Sequence, residues 1–133
     1  MFSGRLEKRR PREGEPLGPY GEETAVLYLQ ARGYRIIERN YRRRYGEIDI
    51  IAEDDDEIVF VEVKTRKSNR FGSPFEAIDR RKQMKMSRVA LAYLNSRRMI
   101  DRAARFDVVA VRLEDRYGTT VEVIKDAFEL CNG

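Results

Sequence analysis

Residues 46–65 read GEIDIIAEDDDEIVFVEVKT and contain two apolar segments separated by a short acidic connection. Both segments are rich in isoleucine and valine, which favour β-strands. Because the connection is so short, the two segments are expected to pair as an antiparallel hairpin. The sequence therefore predicts neighbouring strands at 46–53 and 58–65.

The register of this hairpin determines which acidic residues meet. A turn centred between Asp55 and Asp56 brings Asp49 directly opposite Glu62. Directly opposed residues have Cβ atoms about 4.5–5.5 Å apart, a separation that suits two carboxylates binding one cation. A shift of one residue would turn one of them to the other face of the sheet. The predicted site therefore depends on this register.

Charged residues stand within strands that are otherwise apolar. Glu62 and Lys64 are two residues apart and share one face of their strand, while Ile48 and Ile50 alternate with Asp49. A strand that is apolar on both faces lies inside a sheet. An unpaired charge there costs several kcal/mol, which indicates either a buried ion pair or a functional site. From this pattern alone, a cross-strand charge ladder and a metal site are equally supported.

The chain offers few catalytic groups. It has no histidine, which excludes Ser-His-Asp and Cys-His nucleophiles and imidazole zinc sites. The single cysteine, Cys131, excludes disulfides and thiolate clusters within the chain. An enzyme built from this sequence must use carboxylates, lysine, tyrosine, hydroxyls and a hard cation, and oxygen ligands suit Mg²⁺ or Mn²⁺.

The length of 133 residues suits one domain. Residues 1–19 contain three of the four prolines and three glycines, with little to bury, and are predicted to be a flexible basic arm before a single domain at 20–133. No run of about 18 apolar residues could span a bilayer. No signal-peptide pattern is seen either, so a cytoplasmic protein without membrane contacts is expected.

Positive charge is concentrated in two segments. Residues 64–102 contain twelve Lys and Arg against three acidic residues, a difference of +9, and Arg42–Arg44 form a second run. A solvated surface is the plain alternative, but this concentration beside acidic strands favours nucleic acid as a partner. No pattern of base recognition is seen, so backbone contacts are expected. The predicted contacts are the basic residues Arg42, Arg43, Arg44, Arg66, Arg81, Lys82, Lys85 and Arg88.

Helices and further strands surround the hairpin. A long helix is predicted to begin at Ser73, with a break near Asp79, because Ser, Pro and Glu at 73, 74 and 76 form a helix start. The other predictions are a helix at 21–32 ending before Gly33, strands at 34–41, 106–113 and 119–124, the end of the long helix near Arg98, and a helical turn at 126–130.

Glu22 in the first helix has two interpretations. It shares a helix face with Ala25 and Leu29, which are expected to rest on the sheet, so it is directed at the acidic strands. Alternatively, Glu22 and Glu23 only favour the positive end of the helix dipole.

The motifs at 46–52 and 60–66 closely resemble those of the YraN-like bacterial proteins. These are predicted nucleases of the PD-(D/E)xK, or restriction-endonuclease-like, superfamily and are similar to archaeal Holliday-junction resolvases. The resemblance covers roughly residues 18–130, although Ile48 replaces the proline of the superfamily motif. Further matches are Gly21–Glu22, Arg39–Asn40, Phe71–Gly72, Pro74, Arg105–Asp107 and Ala127–Phe128.

The resemblance implies an α/β fold in which a central mixed sheet, containing the antiparallel hairpin, is flanked by helices. It implies that Asp49 and Glu62 bind the metal, that Lys64 is the catalytic lysine, and that Glu22 assists metal binding. Gln83 resembles a polar helix residue of some relatives and joins the predicted nucleic-acid contacts.

The implied function is metal-dependent hydrolysis of phosphodiester bonds in DNA, including branched or recombination-intermediate DNA. A Mg²⁺ or Mn²⁺ ion on Asp49, Glu62 and the Val63 carbonyl would activate a water molecule that Lys64 orients. Two alternatives stay open: a non-enzymatic nucleic-acid-binding module that keeps the fold, and a protein-interaction domain whose basic helix docks on an acidic partner. Because resolvases cut symmetric junctions as dimers, the resemblance favours a homodimer.

Overall fold

The computed structural model describes residues 14–67, 78–114 and 118–131 of the chain. These residues form two helices and five strands, which confirms the predicted α/β class. The elements are α1 Leu17–Ala31, β1 Arg35–Arg43, β2 Gly46–Asp54, β3 Glu57–Arg66, α2 Arg80–Ser96, β4 Ala104–Glu114 and β5 Gly118–Phe128.

The strands form one sheet in the order β1-β2-β3-β4-β5. Neighbouring strands are antiparallel except β3 and β4, which run parallel. Parallel neighbours need a long crossover, and α2 lies in that connection. The predicted mixed sheet with an antiparallel hairpin is confirmed, and the arrangement is consistent with a restriction-endonuclease-like fold.

Each face of the sheet is covered by one helix and has its own core. On one face, side chains of α2 such as Met86 and Tyr93 pack on Ile51, Phe60 and other residues of the central strands. On the other face, side chains of α1 pack on the alternate residues of the same strands, including Val61. This explains why β3 is apolar on both faces. Neither described helix is long and apolar enough to cross a membrane.

Helix α1 begins at Leu17, four residues before the predicted start. The predicted arm therefore extends too far, because residues 17–19 are helical, while its residues 1–13 lie outside those described. The physical reason is that proline is tolerated in the first turn of a helix, so Pro19 does not prevent the helix from starting before it. The predicted end is confirmed, since Gly33 follows the helix with a φ of +92°.

Gly21 lies inside α1 rather than at its start. A Cβ atom at this position would overlap the side chain of Thr65 on β3. The absence of a side chain therefore lets the helix approach the sheet closely beside the end of β3.

Helix α2 begins at Arg80 and is capped by Asp79, whose carboxylate accepts a 2.8 Å hydrogen bond from the backbone N–H of Lys82. Asp79 itself is extended, as expected at the predicted break, but the predicted helix before it lies outside the described residues. The predicted start at Ser73 lies outside the described residues. The helix ends at Ser96, two residues before the predicted end, and Arg98 has a left-handed backbone with a φ of +56°.

Strand β5 continues to Phe128, so the predicted helical turn at 126–130 is wrong. The extra strand residues are favoured by packing, because Phe128 pairs with Phe106 and the two rings stack 4.5 Å apart. Asp126 adopts a φ of +54° in an irregular part of the ladder, and its backbone N–H donates to Asp107. Tertiary contacts here outweigh the local sequence pattern.

Asp107 is fully buried and its charge is compensated. It accepts hydrogen bonds from the Tyr34 hydroxyl at 3.0 Å and from Arg105 Nε at 3.0 Å. Arg105 also pairs with Asp54 at 2.7 Å. Burial, followed by the Asp107 carboxylate, raises the pKa of Tyr34 above its ordinary value. The buried charges of this network are therefore matched within the protein, as in a structural ion cluster.

Candidate metal centre and nucleic-acid interface

Strands β2 and β3 pair in the predicted register and then separate. The pairs run from Asp54 and Glu57 to Ile50 and Val61, and each pair of numbers adds up to 111. Beyond Ile50 and Val61, the described part of β2 continues along β1 and that of β3 along β4. The register is therefore confirmed, but the next pair, Asp49 and Glu62, stands just past the end of the ladder, where the strands part.

An irregularity in β2 coincides with this point. Tyr41 pairs with Ile48 and Arg39 with Ile50, and Asn40 between them has a φ of +52°. Ile48 packs in the core beneath α2, whereas Ile50 packs in the core beneath α1. The prediction that these two isoleucines share one face is therefore wrong. A left-handed asparagine changes the local strand twist, and the alternation slips at Asp49.

Asp49 is partly buried beside the end of the ladder. Its Oδ2 accepts a 2.8 Å hydrogen bond from the backbone N–H of Val63. Burial, a hydrogen bond with Glu62 and the negative charge of Glu62 raise the pKa of Asp49 to about 7, against the opposing effects of Val63 N–H and Lys82. The two predicted carboxylates thus meet, and the negative charge of each disfavours ionisation of the other.

The second carboxylate is held by a lysine from α2. Lys82 Nζ lies 3.0 Å from Glu62 Oε2, and the Glu62 side chain is 12% exposed. Burial alone would lower the pKa of Lys82, but its hydrogen bond with Glu62 and the charges of Glu62, Asp49 and Glu47 outweigh burial and raise it. Lys82 was predicted to contact nucleic acid, and the structure places its ammonium group on the acid pair instead.

Lys64 lies two residues beyond Glu62 on β3. It is half-buried and pairs with Ala110 of β4. The alternation of the strand places it on the face of Glu62 and Phe60. Val63 was predicted to offer its carbonyl oxygen to a metal. In the structure its N–H donates a hydrogen bond to Asp49.

Glu22 is near the pair but already has partners. Glu22 and Asp49 line the same groove, whose volume is about 760 Å³. The Glu22 carboxylate accepts hydrogen bonds from Asn40 Nδ2 at 2.8 Å and from Arg39 Nε at 3.3 Å. We call this the acidic groove; its lining includes Glu22, Glu23, Arg39, Asn40, Arg42, Glu47 and Asp49.

The predicted set of three metal-binding carboxylates is therefore not preformed. Within 14–67, 78–114 and 118–131, no three ligating side chains are grouped closely enough to hold an ion. Mg²⁺, however, is often bound by one or two carboxylates together with water and substrate phosphates. Asp49 and Glu62 fit that requirement, because they are adjacent, oxygen-only and short of positive charge. Glu22 is the member that does not join them.

A second depression adjoins the acidic groove. Its volume is about 530 Å³, and it shares Arg42 and Glu47 with the acidic groove. Arg42 pairs with Glu47 at 2.9 Å, so the shared wall is electrically balanced. We call this depression the basic cleft, defined by Arg42, Arg43, Arg44, Tyr45, Gly46, Glu47, Lys85 and Arg88. It brings together five of the predicted nucleic-acid contacts from two distant parts of the sequence.

The remaining predicted contacts lie elsewhere. Arg81 is exposed on α2, and Arg66 is exposed at the end of β3, where it donates to the Thr65 carbonyl. The side-chain amide of Gln83 donates to the Ile78 carbonyl at 2.7 Å and faces Cys131 Sγ at 3.6 Å. Gln83 is thus engaged within the protein instead of lining the basic cleft.

Sequence reasoning missed the role of Lys82 and the presence of Tyr45 in the basic cleft. A signal for Lys82 existed, because the apolar residues Met86 and Val89 follow it at helical spacing, and both are buried on the side of α2 that faces the sheet. The stripe of α2 that meets the sheet therefore begins with Lys82. Tyr45 carries no comparable signal, since its position depends on the contact between the β1–β2 turn and α2.

Taken together, a mixed five-stranded sheet between two helices, with an acid pair where two strands separate, defines an α/β protein consistent with the restriction-endonuclease-like fold. The chain belongs to the uncharacterised protein family UPF0102, the family of the YraN-like proteins, whose family model matches residues 21–111. The matched region contains Asp49, Glu62 and Lys64.

Similar proteins occur in several bacteria. A UPF0102 protein of Syntrophus aciditrophicus is 54% identical over 116 residues, covering 87% of this chain and 91% of the relative. A UPF0102 protein of Moorella thermoacetica is 52% identical over 112 residues, covering 84% and 93%. One of Geobacter metallireducens is 47% identical over 114 residues, covering 86% and 93%. The similarity therefore extends over nearly the whole of each protein.

Proposed function

We propose that this protein is a metal-dependent endonuclease that hydrolyses phosphodiester bonds in DNA. The observation that carries the proposal is the contact between Asp49 and Glu62 at the point where β2 and β3 separate. Burial and the neighbouring Glu62 raise the pKa of Asp49, which supports a role for this pair in binding a cation. A partly buried acid pair of this kind has an evident use in binding a cation, whereas the fully buried Asp107 is already matched by Arg105.

The two carboxylates are the protein ligands of the proposed Mg²⁺ or Mn²⁺ ion, with the Val63 carbonyl as a further oxygen ligand. When bound, such an ion polarises a phosphate oxygen and lowers the pKa of a water molecule. Lys64, two residues beyond Glu62, supplies positive charge toward the phosphate and orients the attacking water. The hydrogen bond from Val63 N–H fixes the orientation of Asp49 for this role.

Lys82 has a distinct part as a positioning residue. Its ammonium group holds Glu62 at 3.0 Å and supplies one positive charge to the pair in the absence of metal. The Lys82 side chain is 44% exposed, so it can move toward solvent without opening the core. The proposed cation therefore competes with an ammonium group instead of filling a preformed cage.

DNA is the proposed polyanion because the acidic groove and the basic cleft adjoin. A phosphate at Asp49 would lie in the acidic groove, and the strand would extend past Arg42 and Glu47 into the basic cleft. Arginine and lysine side chains there would neutralise neighbouring phosphates. Branched and recombination-intermediate DNA belong among the substrates to be tested.

A second candidate function is a non-enzymatic nucleic-acid-binding module. It is favoured by the ion pairs already made, since Lys82 holds Glu62 while Arg39 and Asn40 hold Glu22. In this alternative the acid pair is structural, and only the basic cleft contacts nucleic acid.

Cleavage of labelled single-stranded, duplex and four-way-junction DNA with Mg²⁺ or Mn²⁺ tests the proposal. We expect the wild type to cleave DNA. The cleavage rate of Asp49→Asn should be lower by roughly 100-fold or more, because the substitution removes the negative charge of one carboxylate metal ligand. Asp55→Asn is the matched control, since Asp55 is exposed in the β2–β3 turn with a φ of +53°, which asparagine tolerates. DNA binding without cleavage by the wild type would favour the binding module.

A further inference from the structure

Apart from Arg42, the cations of the basic cleft differ from most of the other arginines that the structure describes. Seven of the described arginines form ion pairs with carboxylates, as Arg35 does with Glu53 and Arg102 does with the same residue. In the part of the chain that the structure describes, Arg43, Arg44, Lys85 and Arg88 have no such pair. Positive charge in the cleft is therefore left for an external anion.

Two of these arginines lie over tyrosine rings. The guanidinium carbon of Arg88 is 4.4 Å from the centre of the Tyr45 ring, and that of Arg43 is 4.6 Å from the centre of the Tyr41 ring. Both tyrosines are anchored, because Tyr41 is buried in the core beneath α2 and Tyr45 packs against it. Both arginines are exposed, so a ligand can reach their guanidinium groups.

An arginine held in this way offers a flat, cationic surface. Guanidinium groups stack on unpaired nucleobases, and such stacking tolerates different bases because every base has a π-face. A base within a duplex cannot use this surface, since its faces are already covered by its neighbours in the stack. A site that contacted only phosphates would need the positive charges of the arginines but not the tyrosine rings against which they lie.

We infer that the basic cleft binds unpaired nucleotides by stacking their bases on the guanidinium groups of Arg88 and Arg43. This inference rests on the proposed function, because it makes single-stranded or locally unpaired DNA the preferred substrate of the Asp49 site. The adjoining position of the cleft supports the connection, since Arg42 and Glu47 line both depressions. A strand bound by its bases in the cleft would present a nearby phosphate to the acidic groove.

Fluorescence anisotropy in EDTA, at low salt, separates stacking from charge. The probes are a 12-nucleotide single strand, an abasic strand with the same number of phosphates, and a 12-base-pair duplex. We expect the wild type to bind the single strand at least about fivefold more tightly than the abasic strand, the lower limit for one stacked base. Arg88→Lys keeps the positive charge but replaces the planar guanidinium group with an ammonium group. The affinity of this variant should be about fivefold lower than that of the wild type for the single strand, and less than twofold lower for the abasic strand.

Arg97→Lys is the matched control. Arg97 also lies on a tyrosine, 4.8 Å from the ring centre of Tyr93, but it is paired with Glu38 and lies outside the basic cleft. This variant should bind all three probes as the wild type does. Circular dichroism checks that each lysine variant is folded.

Equal affinity of the wild type for the single strand and the abasic strand would overturn the inference, as would equal losses of Arg88→Lys for both. Neither result bears on cleavage at Asp49, which the separate nuclease assay measures. Conversely, a protein that shows the base-dependent preference but never cleaves DNA would retain the stacking site and lose the endonuclease proposal.

Discussion

Replacing Asp49 by asparagine should stabilise the protein in the absence of metal. The asparagine side chain has nearly the same size, and its carbonyl oxygen can still accept the hydrogen bond from Val63 N–H. Its amide can donate to Glu62, which an ionised Asp49 cannot do. The substitution therefore removes one of two adjacent negative charges while retaining the hydrogen bonds around it.

The size of the effect follows from the raised pKa of Asp49. A pKa of about 7 in the folded protein, compared with an ordinary value of 3.8, corresponds to roughly 4 kcal/mol. Between these two values the folded state binds more protons than the unfolded state, so stability falls as pH rises from about 4 to 7. Because the pair is only partly buried, so that solvent screens part of the interaction, we expect Asp49→Asn to gain about 2–3 kcal/mol at pH 8. At pH 5 the gain should be less than half as large, about 1 kcal/mol, because only the first third of the interval between the two pKa values has been crossed.

Urea unfolding in EDTA at pH 5 and pH 8 measures these free energies directly. Asp55→Asn is again the matched control, because it changes an exposed acid in the same hairpin and should shift stability by less than about 0.5 kcal/mol. A loss of stability in Asp49→Asn at pH 8 would refute the reasoning. It would mean that the Asp49 charge is already compensated, as in a structural ion pair.

Three further predictions concern other charges. Lys82→Met should destabilise the metal-free protein by about 1–2 kcal/mol at pH 8, because it leaves Glu62 and Asp49 without their nearest cation; Mn²⁺ should recover more stability in this variant than in the wild type, as measured by thermal unfolding, and an equal recovery would contradict competition for the site. Asp107→Asn should cost about 2–4 kcal/mol in urea unfolding, since it removes the buried partner of Arg105; a gain would show that this acid too is uncompensated. Arg44→Ala should reduce the slope of log affinity against log salt by about 0.7 for single-stranded DNA, one phosphate contact, and an unchanged slope would place Arg44 outside the interface.

The central hairpin could be predicted from the sequence because local rules determine it. Two segments rich in β-branched residues form strands, and a short turn between them permits only antiparallel pairing. The turn length then fixes the register. The contact between Asp49 and Glu62 follows from that register. The sequence therefore contained the acid pair itself.

The surroundings of the pair could not be predicted in the same way. Whether Glu22 would reach Asp49 depended on Arg39 and Asn40 of β1, which hold its carboxylate. The slip in alternation at Asp49 depends on a left-handed residue in the neighbouring strand. Such effects depend on contacts between different strands and helices, so they cannot be predicted from the residue pattern of a single segment.

The C-terminal strand illustrates the same difference. Residues 126–130 have a composition that a helical turn accepts, yet Phe128 stacks on Phe106 and the chain stays extended. Burial of an aromatic pair and strand hydrogen bonds outweigh the small intrinsic preference of a few residues. Packing thus decides the structure where local preference is weak.

The anomalous scattering of a crystal soaked in Mn²⁺ tests the cation site most directly. We predict a peak within bonding distance of both the Asp49 and Glu62 carboxylates, with Lys82 Nζ moved away from Glu62. The absence of a peak there at saturating Mn²⁺, with Lys82 still bound to Glu62, would contradict the proposed metal centre.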